Sequence, residues 1–437
     1  MIIFLKSKDF KGEIMSNILF KNTKLRDYKE NCNILVQDGI IKEIETDLNK
    51  LNIDYNNTKV IDIKGRLTIP PYVEPHIHLD YVYTAHNPSS KNSTGTLFEG
   101  IQRWSESKNN LNKEEVKERA KIALRKQITT GIQHIRTHVD VTDKNLTALK
   151  AMLELKEEFK DIVSLQIIAF PQEGMYAFKG GDELVEEALK MGADVVGAIP
   201  HFEYTREFGE KSVKKTIELA LKYNKLVDIH CDETDDEQSR FLEVLAAHAY
   251  LEGIGEKVTA SHTCAMHSYN NAYTYKLFKL LKESKLNFIA CPTENIHLQG
   301  RFDSYPKRRG VTRVKEMVQE GINVCFAQDS ISDPWYPLGT GNLMNILDAG
   351  LHICQMMSFE EINNSLDLIT TNGAKTLNIQ NEYGIKVGNK ANFIVLNATS
   401  EFEAIQERVS VIYSIKNGNI LFERIPEIIK SDNQFLV

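Results

Sequence analysis

Between residues 65 and 384 the chain alternates eight short β-like runs with amphipathic helical stretches, and this alternation leaves few folds open. The runs fall at 67–78, 132–139, 163–170, 195–200, 226–231, 258–262, 286–290 and 323–329. Stretches between them, such as 113–129, 182–191, 211–225 and 311–320, repeat their apolar residues at helical spacing. Strands joined by helices are parallel, and eight of them close into a barrel. The expected fold class is α/β: a (β/α)8 TIM barrel over 65–384, carrying a small β-sandwich domain formed by both termini. That composite β domain takes residues 16–64 and 385–430. Its signals are Ile18-Leu-Phe, Asn33-Ile-Leu-Val and Gly39-Ile-Ile-Lys-Glu-Ile at one end of the chain. At the other they are Ala391-Asn-Phe-Ile-Val-Leu, Val409-Ser-Val-Ile-Tyr-Ser-Ile and Asn419-Ile-Leu-Phe, with a turn at Lys416-Asn-Gly-Asn.

In such a barrel the carboxyl ends of the strands build the active site. His76 and His78 end the first run, Gln172 follows the third, His201 the fourth, His230 and Glu233 end the fifth, His262 the sixth and Asp329 the eighth. Residues i and i+2 of a strand share a face, so His76 and His78 can reach one ion from a single strand end. With His230 and Asp329 they offer three nitrogens and a carboxylate oxygen, leaving a position open for water. A lone histidine at a strand end is an ordinary core or rim residue; ligands recurring at successive strand ends are not. His248 and His352 lie in helical patterns as packing or surface residues, while His86, His134, His138, His201, His267 and His297 stay unassigned.

Composition narrows the partners. The 437 residues are 42% hydrophobic, enough for a large core, and the net charge of -7 gives no reason to expect nucleic acid or a membrane surface. A small neutral or cationic molecule is the natural substrate. The six cysteines show no C-x-x-C pair and no regular spacing, which suits a cytoplasmic setting. The opening Met1-Ile-Ile-Phe-Leu-Lys is too short for a signal peptide, no 18-residue apolar stretch occurs, and Met15 is an alternative start. A homo-oligomer is expected, and the basic run Lys307-Arg308-Arg309 reads as a solvated loop or a subunit contact. Asp235-Asp236-Glu237 reads as a helix start, where acidic groups favour the helix dipole.

Eight ordered strings then match a family: Val73-Glu-Pro-His-Ile-His-Leu-Asp, Gly95-Thr-Leu-Phe-Glu-Gly-Ile, Gly131-Ile-Gln-His-Ile-Arg-Thr-His-Val-Asp, Phe170-Pro-Gln-Glu-Gly, His230-Cys-Asp-Glu, Ala260-Ser-His-Thr, Asn295-Ile-His-Leu-Gln-Gly-Arg-Phe-Asp and Asp333-Pro-Trp-Tyr-Pro-Leu-Gly. Over nearly its whole length the chain resembles the amidohydrolase superfamily, and within it the bacterial cytosine deaminases. The resemblance implies that His76, His78, His230 and Asp329 bind one divalent ion, Fe2+ or Zn2+, and that Glu233 shuttles the proton. It also implies that His262 holds and polarises the attacking water, Gln172 reads the ring amide edge and Trp335 lines or supports the pocket. No lysine stands at the end of the fourth strand, where binuclear relatives carry a carboxylated one, so a mononuclear site is implied.

Two local departures bear on the substrate. Where cytosine deaminases typically read His-Asp-Asp-x-x-Asp-Pro-Trp, this chain reads Gln328-Asp-Ser-Ile-Ser-Asp-Pro-Trp, so Ser330 replaces a second aspartate and Ser332 an aromatic. At the seventh strand end, Cys291-Pro-Thr-Glu-Asn replaces Asn-Pro-Leu-Val-Asn and introduces Glu294. By the resemblance that aspartate borders the edge where cytosine's C5 lies and where creatinine's N-methyl would point, so the smaller Ser330 is expected to admit the N-methyl group of creatinine. Cytosine remains the first expectation. Creatinine, which has the same amidine and carbonyl in a five-membered ring, is second, and pterin and isoguanine come after it. A catalytically dead barrel acting as a scaffold would be marked by a lost metal ligand, and none is lost.

Overall fold

The computed structural model describes residues 17–428 and Asp432, so the alternative start at Met15 and the opening apolar run lie outside the described residues. Two compact units emerge, one drawn from both ends of the chain (to Pro71 and from Glu382) and one spanning Tyr72–Asn381.

In the first unit, β1 (Asn17–Thr23), β2 (Cys32–Gln37), β3 (Ile40–Glu45) and β4 (Thr58–Asp62) form a sheet of order β3-β2-β1-β4. Strand β4 pairs parallel to β1, the others antiparallel. The two-residue strand β5 (Thr68–Ile69) edges a second sheet, whose other three strands come from the far end of the chain.

The second unit is the barrel. Its strands are β6 (Tyr72–Ile77), β7 (Ile132–Asp140), β8 (Ser164–Phe170), β9 (Val195–Val196), β10 (Leu226–Cys231), β11 (Val258–His262), β12 (Asn287–Ala290) and β13 (Val324–Phe326). Each pairs parallel to the next in sequence order. A parallel bridge between Ile77 and Asp329 closes the ring. It uses two hydrogen bonds, from the His78 amide to the Asp329 carbonyl (3.1 Å) and from the Asp329 amide to the His76 carbonyl (2.9 Å).

Strands β14 (Phe393–Leu396), β15 (Val411–Lys416) and β16 (Asn419–Glu423) complete the second sheet of the first unit, of order β16-β15-β14-β5. The two sheets share one apolar core. Ile18, Phe20, Ile34 and Val36 from the first pack with Phe393, Val395, Ile412 and Ile415 from the second, and Phe20 meets Phe393 edge to face at 5.0 Å.

Three expected boundaries move, each for a physical reason. The run at 67–78 is two strands. Pro70 and Pro71 lack the amide protons a central strand needs, so the chain breaks there and its first part joins another sheet. The strand expected at 195–200 is only Val195–Val196, because the chain turns into a short 3-10 helix at Pro200–Phe202. The strand expected at 323–329 stops at Phe326, where the chain leaves the sheet and carries Asp329 across the barrel mouth. Asp235-Asp236-Glu237 lies in the turn before the helix, which begins only at Phe241.

One close approach links a glycine to the barrel mouth. Thr96 caps the helix Leu97–Ser107 by accepting from the Glu99 amide, and the helix buries Gly100, Ile101 and Trp104. A Cβ on Gly100 would sit 2.4 Å from the indole nitrogen of Trp335. Gly100→Ala should therefore displace Trp335 and cost about 1–3 kcal/mol, the usual range for overpacking. The chain has two tryptophans, so emission and thermal unfolding read this directly; unchanged spectra and midpoint would contradict it.

Candidate metal centre and active site

The site is built on the strand pairing that closes the barrel. Strand β6 alternates its side chains, so Glu74, His76 and His78 share one face, and all three are buried. Glu74 accepts from the backbone amides of His76 (3.3 Å) and Gln328 (3.2 Å), tying the first strand to the segment that carries Asp329. His76 Nε2 and His78 Nε2 each lie 3.4 Å from Asp329 Oδ1. His78 Nε2 lies 3.2 Å from His230 Nε2. Four donor atoms from three strand ends therefore converge, a fit for one cation. His76 Nε2, His78 Nδ1 and His230 Nδ1 are buried without a hydrogen-bond partner.

Neutral imidazole is the ligating form. Burial drives the proton affinities of His78 and His230 well below normal, and for His230 the rings of His138 and His76 add to the effect. Burial opposes the charge on Asp329, yet the surrounding rings, His76 first, hold its carboxyl below the usual range. Ligand atoms within 4.8 Å of one another also occur in the sets His76, His262, Cys291, Asp329; His76, His138, Asp228; and His230, Glu233, His262. In the first of these Cys291 is a poor thiolate, since burial and the nearby Asp329 push its thiol well up.

Glu233 follows β10 and is buried; burial, reinforced by Asp329, raises its carboxyl well above the ordinary value. The turn that presents it is anchored by Asp232, which accepts from Ser239 Oγ (2.6 Å) and from the amides of Phe241 and Leu242 (3.1 and 2.9 Å). His262 Nδ1 lies 3.6 Å from Glu233 Oε1 and 3.9 Å from Asp329 Oδ2. Asn295 sets its tautomer. The Asn295 Oδ1 accepts from the Cys291 amide (3.3 Å), so its Nδ2 is the donor facing His262 Nδ1 (3.1 Å), and the ring proton sits on Nε2. Burial lowers the His262 ring to about 3, keeping it neutral.

Four residues at the strand ends hold left-handed backbone: Asp232 (φ 51°), His262 (φ 67°), Thr263 (φ 47°) and Asp329 (φ 69°). For residues other than glycine this conformation costs ~1–3 kcal/mol each, and it clusters where a side chain must leave the regular strand direction.

Gln172, Ser330 and Trp335 are buried around the same mouth. The Gln172 amide donates to Asp140 Oδ1 (3.3 Å), and its side-chain Oε1 has no partner. Asp140 is itself gripped by Trp104 Nε1 (2.8 Å) and the buried Lys108 Nζ (3.2 Å), which also contacts Glu173. Trp335 is fixed by its amide to Asp333 (3.0 Å) and its indole N–H to the Leu97 carbonyl (3.2 Å). It packs on Tyr81, which stacks on the His78 ring at 4.6 Å. Glu294 is buried beside Asp329, and burial together with that charge raises its proton affinity well above normal, with the Ser330 hydroxyl alongside working the other way.

Of the unassigned histidines, His138 joins the cluster, its Nε2 3.0 Å from His76 Nδ1. His201 has both ring nitrogens buried, beside the His230 backbone, and burial holds the ring at about 4. His297 contacts the Trp335 carbonyl (3.1 Å) and Arg301 (2.7 Å). His352 is exposed on its helix, contacting Asp348. In the basic run, Arg308 pairs with Asp303 at 2.7 Å. The contributions of Tyr81, Asn295, Asp228 and Ser261 escaped sequence reasoning. Among the described residues no helix is long and apolar enough to cross a membrane.

The chain is similar to known proteins over nearly its whole length. The family model described as "Amidohydrolase family" matches residues 59–422. A solved 5-methylcytosine deaminase from Klebsiella pneumoniae, liganded with 5-fluorocytosine, is 52% identical, with a TM-score of 0.91, covering 94% of this chain and 99% of that one. N-isopropylammelide isopropyl amidohydrolase of Pseudomonas sp. (strain ADP) is 30% identical over 95% of this chain and 98% of its own. Pterin deaminase of Rhizobium rhizogenes is 24% identical over 91% and 89%.

Proposed function

The chain belongs to the amidohydrolase family and is a hydrolase of C–N bonds, and from that premise we propose that it deaminates a cytosine ring, with 5-methylcytosine as its preferred substrate. The carrying observation is Ser330, a small buried residue beside Asp329, at the position where the resemblance to cytosine deaminases implies a second aspartate. The 52% identity to a 5-methylcytosine deaminase supports the same ring.

In this reading His76, His78, His230 and Asp329 hold one divalent ion, Fe2+ or Zn2+. Such an ion lowers the pKa of a water from about 15.7 towards about 7, supplying a nucleophile at neutral pH. The residues do the rest. Glu233 accepts a proton from the attacking water and delivers it to the ring nitrogen beside the amidine carbon. As the new C–O bond forms, His262, whose ring lies beside Glu233 and Asp329, steadies the oxygen. Breaking the C–N bond requires a second proton on the amine, which Glu233 and Asp329 relay from the new hydroxyl, releasing ammonia and leaving a ring carbonyl. Gln172 fixes the opposite amide edge, and Trp335 with Tyr81 keeps bulk water out. Ser330 faces the C5 substituent.

The direct test is ammonia release from 5-methylcytosine, cytosine, creatinine and pterin. The expected result is 5-methylcytosine turned over at least as well as cytosine, with creatinine far behind. A marked preference for creatinine, whose N-methyl group would use the same space, would overturn the choice of ring.

Three variants probe the parts. Metal analysis should find about one ion per chain, lost with activity in His230→Ala, since a four-ligand site missing one arm binds weakly; two ions would contradict the mononuclear site. Glu233→Gln should keep the metal and lose at least ~10²-fold in kcat, as for removal of a general acid/base; near-normal turnover would assign proton transfer to another group. Ser330→Asp should lower the ratio of 5-methylcytosine to cytosine kcat/KM by about 10-fold or more, in line with pocket discrimination of ~1–3 kcal/mol. An unchanged ratio would shift the choice of ring substituent to Glu294 and Ser332.

A further inference from the structure

His76 differs from the other candidate ligands in what stands behind it. The far nitrogens of His78 and His230 have no partner, whereas His76 Nδ1 lies 3.0 Å from Ser261 Oγ and 3.0 Å from His138 Nε2. Ser261 Oγ is in turn 2.6 Å from Asp228 Oδ1, and Asp228 Oδ2 accepts from Arg136 Nη1 at 3.0 Å. All of these side chains are buried. The guanidinium is itself held by Gln166 Oε1 (3.0 Å) and the Thr376 carbonyl (2.9 Å). Strand register brings the chain together. Asp228 precedes His230 by two residues on β10, Ser261 is the β11 residue paired with His230, and Arg136 precedes His138 by two on β7.

The Arg136 pairing orients these hydrogen bonds. A carboxylate paired with arginine accepts only, so the single Ser261 hydroxyl proton goes to Asp228. The serine oxygen then faces His76 with a lone pair, so a ring proton on Nδ1 is the arrangement that satisfies it, with His138 Nε2 turning a lone pair to the same nitrogen. That leaves the Nε2 lone pair aimed towards Asp329 and the other rings. We propose that Asp228 and Ser261 are positioning residues that lock the tautomer and orientation of His76 for metal binding. The proposal rests on the reading of His76 as a ligand.

The same neighbourhood offers a competing use, because His76, His138 and Asp228 place ligand atoms within 4.8 Å of one another. A cation there would share Asp228 with the Arg136 guanidinium, and like-charge repulsion in a buried setting disfavours it.

Ser261→Ala removes one hydroxyl and leaves the Asp228–Arg136 pair intact. Competition with a chelator for Zn2+ should show about 10- to 100-fold weaker binding, the usual effect of losing a partner behind a metal-bound histidine. The metal-free thermal midpoint should stay within a few degrees. In 15N spectra of the metal-free protein, His76 should change from a single tautomer protonated at Nδ1 to a mixture. Ser261→Thr, which keeps the hydroxyl, should restore both readouts. Zinc affinity within twofold of wild type in Ser261→Ala, or equal losses in the Ala and Thr variants, would overturn the proposal. So would a second ion lost on His138→Ala. His76→Ala serves as the control: if it leaves zinc binding unchanged, the ligand reading itself fails, whereas a loss there without one in Ser261→Ala defeats only the positioning role.

Discussion

Everything at the site depends on the two hydrogen bonds between the backbones of His76, His78 and Asp329. They close the barrel, and in the same act they set the first pair of histidines against the carboxylate from the last strand. Glu74 repeats the connection by accepting amides from both segments. Closure and ligand convergence are therefore one constraint. A one-residue slip of β6 would turn His76 and His78 away together, since side chains alternate faces along a strand.

The second constraint is electrostatic. Most of the polar groups at the mouth are buried, and burial is the first cause of the shifts in His78, His230, His262 and Glu233. It keeps the imidazoles neutral and the Glu233 carboxyl protonated more readily than usual. Buried charges elsewhere in the barrel are paired. Arg136 is matched by Asp228, and Lys108 lies between Asp140 and Glu173. Removing one partner from such a pair costs ~3–5 kcal/mol because the other charge is left stranded. The barrel thus spends stability on holding groups in register.

The barrel was legible in the sequence because helix and strand periods differ and alternate. The helix at Lys113–Thr129 and the strands at Leu226–Cys231 and Val258–His262 fall where the pattern places them. The histidine pair was legible because a strand period of two makes i and i+2 neighbours. Less visible was β4, whose Thr58–Asp62 sequence is half-exposed and without an apolar face. The strand break at Pro70–Pro71 was written in the prolines but was masked by apolar residues on both sides. Hardest to read were contacts set by register across strands, such as Ser261 with Asp228, 33 residues apart, and Asn295 with His262. Serine and asparagine carry no periodic signal, and only the folded pairing brings them behind a ring.

At the centre of the proposed function, one ion sits among His76, His78, His230 and Asp329 while a cytosine ring presents its C5 edge to Ser330. Anomalous diffraction from crystals of the zinc-loaded protein, soaked with a 5-substituted cytosine analogue that resists hydrolysis, would locate both at once. The expected outcome is a single anomalous peak bonded to those four side chains, the C5 substituent against Ser330 and the ring amide edge at Gln172. A peak displaced onto Cys291, a second peak beside Asp228, or a ring with its substituent turned towards Gln172 would refute it.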